Sequence, residues 1–334
     1  MRSYQHVLVT GGAGFIGSHL VDLLLDEQGR RVTVVDRLSL GGSRLNLAAH
    51  EGDERFRFVW GDVADRGVVA AAIEGGVDAV IHAAAESHVD RSIDDPRPFF
   101  ESNVLGTQAV LEAVRHAGIR MLMVSTDEVY GAGDPSGGLF DEDAPMRPRS
   151  PYAASKAAAD LACQAYVATY GVDVTVVRGT NAFGPRQIER VVPTYAVNAL
   201  EGRPVPVYGA GTQRREFLYV EDWARAAIVA LEQGAPGVLY NIGDGHELEN
   251  RELAERICDL AGADRSSIVS VPDRPGHDFR YGVRADRLRS LGWQRQTSFD
   301  DGLARTVAWY RDNLDWLRRA HEVDVVTAPR EATG

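Results

Sequence analysis

Short apolar runs alternate with longer amphipathic stretches through the first half of the chain. His6-Val7-Leu8-Val9-Thr10 is apolar and short; glycines and a helical stretch through Leu25 follow. Arg31 to Val35 reads as the next strand, ending at Asp36. Phe56-Arg57-Phe58-Val59 leads to Gly61-Asp62, and Ala79-Val80-Ile81-His82 to the small-residue turn Ala83-Ala84-Ala85. Residues 100–117 read as a helix. Met121-Leu122-Met123-Val124 reads as a buried parallel strand ending near Thr126. A helix from about Ser150 carries Tyr152 and Lys156, and Val174 to Val177 is another strand. Strands alternating with helices of this length predict an α/β fold, a doubly wound parallel sheet of the Rossmann type.

After about residue 180 the pattern loosens. Pro185, Pro193, Pro204 and Pro206 punctuate it, and Gly209 to Gly211 is turn-rich. The expected organisation is a dinucleotide-binding domain over 1–180 that also carries the catalytic residues. A smaller substrate-binding lobe over 181–325 sends some segments back to the first domain, and 326–334 forms a frayed tail.

Composition narrows the function classes. The chain has 334 residues and a formal charge of −12, which argues against a nucleic-acid binder, because neutralising phosphates needs basic surface. No apolar run approaches the roughly 18 residues of a membrane span. The N-terminus reaches a strand by residue 6 without a signal-peptide pattern, so a cytoplasmic protein is expected. Cys163 and Cys258 lie in helix-like segments and read as core residues, not as a disulfide. No His, Cys and carboxylate spacing suggests a metal, and no Gly-x-Ser-x-Gly elbow suggests a hydrolase.

The candidate chemistry sits at two turns. Gly11, Gly14 and Gly17 follow the first strand and open a helix, the arrangement that brings backbone close to a pyrophosphate at a helix N-terminus. Phe15 and Ile16 lie between the last two glycines, and Ala84 belongs to the turn after the fourth strand. Asp36 at the tip of the second strand suits a ribose 2′-hydroxyl and repels a 2′-phosphate, so NAD is favoured over NADP; the adjacent Arg37 weakens that preference. Asp62 and Val63 close the third strand, either against the adenine or as a solvated turn. The second turn reads Ser125-Thr126-Asp127-Glu128-Val129-Tyr130-Gly131. Its two carboxylates lie at a strand tip, where open α/β sheets keep their ligands. Tyr152 and Lys156, four apart on a helix, share one face, and an ammonium there is expected to lower the Tyr pKa towards that of a working base. Tyr130 is expected to pack behind the loop, and His88 to be a structural hydrogen-bonder.

Together these residues resemble the extended short-chain dehydrogenase/reductase superfamily, marked by GxxGxxG and by Tyr152-Ala-Ala-Ser-Lys156. Finer marks resemble its nucleotide-sugar 4,6-dehydratase branch, most closely the enzymes acting on dTDP-glucose. They are Ala85 to Ile93, Ser125 to Gly131, Ser150 to Lys156, Arg215 to Asp222 and Arg274-Pro275-Gly276-His277-Asp278. The resemblance runs from about residue 6 to about 315, and the Thr-Asp-Glu triplet is its most specific mark. Epimerases and decarboxylases of the superfamily generally lack the Asp-Glu pair.

The resemblance implies C4 oxidation of an NDP-hexose by NAD, elimination of water across C5 and C6, and return of hydride to C6. Tyr152 would act as the base at the C4 hydroxyl, with Lys156 on the cofactor ribose and Thr126 on the C4 oxygen. Glu128 would take the C5 proton and Asp127 would protonate the leaving C6 hydroxyl. Two adjacent carboxyls resist double ionisation, which helps give them different protonation states. Substrate contacts are implied for Ser87, Thr126, Asn181, Arg190, Val207, Tyr208, Arg215, Arg274 and His277, with Tyr208 over the base and Arg215 and Arg274 on the diphosphate. Arg214 reads as a surface charge. A homodimer is implied through the helix rich in Ala157, Ala158, Ala159 and Ala162 and the helix near 100–117.

One segment departs from the branch. Ala182, Arg186 and Arg190 replace its usual Asn, Tyr and Lys, and the segment is one residue shorter, which questions the sugar or the nucleotide. Three rivals stay open: the same dehydration of UDP-glucose or another NDP-hexose, a 4-epimerase or decarboxylase, and a silent dinucleotide-binding sensor.

Overall fold

The apolar runs of the first half pair side by side into one parallel sheet. The computed structural model describes residues 2–133, 137–273 and 279–323. In chain order the first strands are β1 (His6–Thr10), β2 (Arg31–Asp36), β3 (Phe56–Trp60), β4 (Ala79–His82), β5 (Arg120–Thr126) and β6 (Val174–Gly179). Then come β7 (Asn181–Phe183), β8 (Val205–Tyr208), β9 (Arg214–Tyr219), β10 (Leu239–Ile242), β11 (Glu247–Glu249) and β12 (Ile268–Val271). The main sheet runs β3-β2-β1-β4-β5-β6-β10. Every pairing in it is parallel. β1, β4, β5 and β6 are buried along their whole length, which is why they read as continuous apolar runs and not as alternating ones.

Helices cover both faces. Phe15–Asp22 and Val220–Gln233 pack on one face through Leu20, Val21, Trp223 and Leu231. Arg66–Ile73, Thr107–Ala117 and Pro151–Tyr170 pack on the other through Val69, Val110, Val114 and Cys163. Strand order reverses between β1 and β4, so a crevice opens at their C-terminal ends.

Residues after 180 divide. Val220–Gln233, β10 and the segment 285–293 return to the main sheet and its core. The remainder builds a second core around Phe183, Tyr195, Phe217, Leu253, Phe299 and Tyr310. Its strands form the β11-β9-β7 sheet and the β12-β8 pair. The tail expected at 326–334 lies outside the described residues.

Two local features aim the site. Ser150 caps the helix Pro151–Tyr170 by accepting from the Ala153 amide at 3.1 Å, and Pro151 occupies its first turn. The helix near 100–117 starts earlier, at Arg97, and widens to a π-type stretch over Glu101–Gly106. That stretch carries Asn103, whose side chain bridges the Glu86 backbone and the Ser155 hydroxyl.

Candidate active site

The crevice widens into a cavity of about 540 Å³ lined from both cores. Its first wall is bare backbone. Gly11 has φ +71°, and a Cβ there would meet the Ala84 nitrogen at 2.6 Å. A Cβ on Gly17 would meet the Gly11 carbonyl oxygen at 2.0 Å. Gly14 immediately precedes the helix Phe15–Asp22, whose N-terminus faces the cavity together with Phe15 and Ile16. Asp36 closes this wall. It accepts from the Ala13 and Leu38 amides at 2.9 and 2.8 Å, and burial pushes its pKa up. Glycine cradle, helix N-terminus and carboxylate together fit the pyrophosphate and ribose of a dinucleotide without a 2′-phosphate. Arg37 does not compete for that position, because Asp62 and Glu86 hold it at 2.6 and 2.5 Å. Asp62 is therefore more than a solvated turn residue. It joins Val63 and Ala84 in the cavity lining.

The second wall is the tip of β5. Thr126 leads into a short 3₁₀ turn, Asp127–Tyr130, and its hydroxyl accepts from the Glu128 amide and donates to Asp127, both at 3.3 Å. Gly131 ends the turn at φ +81°, where a Cβ would sit 2.2 Å from the Arg147 carbonyl oxygen. The turn presents Asp127 and Glu128 side by side to the cavity. Asp127 is only 3% exposed, and its pKa is raised well above the usual range by burial, then by Glu128 and Glu216. Both causes favour its protonated form. Tyr130 packs behind the turn, stacked on Phe140 and bonded to Asn241.

Tyr152 and Lys156 face the same cavity, but their electrostatics differ from the expectation. Burial pushes the Tyr152 phenol up, and Glu128 and Asp127 push the same way, against Arg190 and a hydrogen bond with Thr126. The Lys156 ammonium donates to the Val124 carbonyl oxygen at 2.7 Å. Tyr152 is thus held as a neutral phenol. His88 lies beside Arg190, and burial lowers its pKa to about 4, so it is neutral.

From the second lobe, Asn181, Arg190, Tyr208 and Arg215 reach the cavity, opposite Ser87. Arg190 donates to the Ser87 hydroxyl at 3.1 Å. Arg215 lies over the Tyr281 ring at 4.5 Å, and Tyr208 is 39% exposed. Val207 does not reach the cavity with its side chain: alternation along β8 turns it into the second core while Pro206 and Tyr208 face out. Arg274 and His277 lie outside the described residues. Of the three departures, Ala182 and Arg190 line the cavity, but Arg186 does not. It turns away to the Asn46 carbonyl, His19 and Asp22. Gln187, Glu189 and Tyr281 also line the cavity, and the sequence patterns had not singled them out. Among the described residues no cluster of three His, Cys, Asp or Glu side chains suits a metal.

The profile of the NAD dependent epimerase/dehydratase family matches residues 7–243. The chain belongs to this family. Within it, a dTDP-glucose 4,6-dehydratase of Streptomyces niveus is 46% identical over 99% of this chain and 98% of its own length. A dTDP-glucose 4,6-dehydratase from Streptomyces venezuelae, solved with NAD bound, superposes with a TM-score of 0.91 at 47% identity, over 94% of this chain and 99% of that one. A UDP-glucose 4-epimerase of Thermus thermophilus, solved with NAD, gives 0.84 at 35% identity, over 92% of this chain and 99% of that one. The family scaffold therefore hosts both chemistries, and the site residues must decide between them.

Proposed function

We propose that this chain is an NAD-dependent nucleotide-sugar 4,6-dehydratase that converts dTDP-glucose to its 4-keto-6-deoxy sugar. The observation that carries the proposal is the Asp127–Glu128 pair at the tip of β5, facing the same cavity as Tyr152. Bound NAD supplies the hydride acceptor and donor, and its oxidised ring brings a positive charge into the cavity. With the cofactor bound, its positive charge and the Lys156 ammonium would favour the Tyr152 phenolate, which takes the proton of the sugar C4 hydroxyl while Thr126 orients the C4 oxygen. Once C4 is a ketone the C5 proton is acidic. Glu128 removes it, Asp127 protonates the departing C6 hydroxyl, and as hydride returns to C6 the proton is given back to C5 from Glu128. Asp127 arrives protonated because burial and two neighbouring carboxylates disfavour its charged form. Its acid form is lost as pH rises through that raised pKa, so activity falls on the alkaline side.

Arg215 and Tyr208 are assigned to the diphosphate and the base, and Ser87, Asn181 and Arg190 to the sugar. The high identity to curated dTDP-glucose dehydratases favours dTDP over UDP. Purified protein incubated with dTDP-glucose or UDP-glucose should lose one water from the dTDP sugar by mass spectrometry. Turnover of UDP-glucose alone would move the nucleotide assignment, and epimerised product without water loss would favour the epimerase.

The cofactor preference follows from Asp36 and the neutralised Arg37. A fluorescence titration should give weaker binding of NADP than of NAD, by about tenfold or more for a carboxylate facing a 2′-phosphate. Equal affinities would show that Arg37 leaves Asp62 and Glu86 for the phosphate.

A homodimer belongs to this reading. Ile93, Phe100, Leu105 and Leu161 are exposed on helical segments that pack against one another, and this apolar exposure supports a pairing surface. Light scattering should give twice the chain mass, falling to one for Leu105→Glu with Leu161→Glu. A parent protein that runs as a monomer removes this assignment. A cytoplasmic location fits the two buried free cysteines; among the described residues no helix is long and apolar enough to cross a membrane.

A further inference from the structure

Lys156 is the only lysine in the chain; every other member of its 36 Lys and Arg residues is arginine. Arginine serves where a fixed charge suffices. Position 156 keeps the one basic side chain whose charge burial can remove. That removal is close. Burial pulls the Lys156 pKa from 10.5 to about 8 while its ammonium sits on the Val124 carbonyl oxygen. A buried ammonium near its titration point depends on a counter-charge.

The groups facing Lys156 narrow the source. His82 on β4 is bonded to Thr10 and Thr107, and burial drops its pKa to about 3, so it is neutral. Cys163 on the same helix is a thiol that burial pushes up, also neutral. Tyr152 is a neutral phenol, and the charge of Glu128 acts on that phenol. Asp160 differs from all of these. It lies one helical turn after Lys156, on the same face, and is fully buried. One carboxylate oxygen accepts from Arg178 Nε at 2.8 Å, and Ser125 lies beside it. The Arg178 guanidinium is itself fixed 4.8 Å over the Tyr130 ring. Burial disfavours ionised Asp160, and Arg178 is the first of the groups that oppose this.

We propose that Asp160 is a positioning residue for Lys156: its buried carboxylate, kept ionised by Arg178, holds the single lysine as an ammonium at neutral pH. The inference rests on Lys156 belonging to the proposed site, but its test needs no substrate. A merely structural Asp160–Arg178 tie between the helix and β6 makes a different prediction for the lysine.

The single lysine makes the measurement direct. Protein labelled with ¹³C-lysine gives one lysine side-chain signal, and its shift against pH reads Lys156 alone. The parent should titrate near pH 8. Asp160→Asn should lower that point by about one unit or more, because a carboxylate beside a cation shifts it by 1–3 units. Asp160→Glu should restore most of the difference. NAD affinity of Asp160→Asn, read by fluorescence at pH 7.5, should weaken and recover as pH is lowered. A folded Asp160→Asn whose lysine titrates with the parent overturns the proposal. Asp160→Asn leaves Arg178 buried without its partner, so Asp160→Leu with Arg178→Met removes both charges and tests the same point. An unmoved titration there overturns it equally. If the parent fails to dehydrate dTDP-glucose yet the titration moves, the functional assignment falls and this inference stands.

Discussion

Asp127→Asn combined with Glu128→Gln should stop the loss of water while leaving oxidation at C4 in place. Each amide keeps the size and polarity of the carboxyl it replaces but can neither donate an acidic proton nor take one from carbon. Folding should tolerate the change. Asp127 is already driven to its neutral form by burial, Glu128 and Glu216, so the amide resembles the state it replaces. Removing a carboxylate from this crowded turn also relieves repulsion. Positioned acids and bases contribute about 10²- to 10⁴-fold each, and groups that act as a unit are not additive. The release of dehydrated sugar should therefore fall by about 10³-fold or more. Substrate should instead produce the near-ultraviolet absorbance of reduced cofactor, without incorporation of solvent deuterium at C5. Dehydrated product at near the parent rate would make both carboxylates bystanders and move the epimerase ahead.

Why these residues could be found at all is a matter of locality. The strands β1, β4, β5 and β6, and β2 beyond Arg31, are buried on both faces, so composition alone marks them. The glycine turn, the carboxylate pair and the Tyr152–Lys156 helix are each set within a few residues of chain. What was not legible depends on contacts across long separations. β10 joins the main sheet beside β6, more than sixty residues back along the chain. Arg186 is drawn from the substrate wall by Asp22 and His19, on the first helix. Arg37 is neutralised by Glu86 as well as Asp62, and Glu216 adds its charge to Asp127. The inward turn of Val207 is different. The two-residue period of β8 already places it opposite Pro206 and Tyr208, and reading that alternation would have found it. The Tyr–Lys electrostatics are set by tertiary contacts: helical spacing puts both residues on one face, but the bond of Lys156 to the Val124 carbonyl comes from a strand 32 residues back.

Tyr152→Phe should fail one step earlier than the carboxylate variant, with fold and NAD affinity nearly intact. The ring is buried, with Phe99 edge-on at 6.4 Å, and phenylalanine keeps that packing. The substitution removes only the hydroxyl and its hydrogen bond with Thr126, a loss of about 0.5–1.5 kcal/mol. The chemical consequence is larger. The described alternatives are worse placed for the C4 proton: Glu128 is assigned to C5, Asp127 is driven towards its protonated form, and His88 is a weak base with its pKa lowered to about 4. Loss of a general base costs about 10²-fold or more. With the phenol proposed to act at oxidation and the carboxylates at elimination, the two variants should give opposite signals from the same substrate. Tyr152→Phe should show neither reduced-cofactor absorbance nor water loss, whereas the carboxylate variant shows the first without the second. Stopped-flow absorbance with dTDP-glucose, read beside a melting curve and an NAD titration, separates these outcomes. Full activity in Tyr152→Phe would pass the base role to another group. A reduced-cofactor signal that rises and stalls in Tyr152→Phe would place the phenol at elimination, and the base at the C4 hydroxyl would have to be another group.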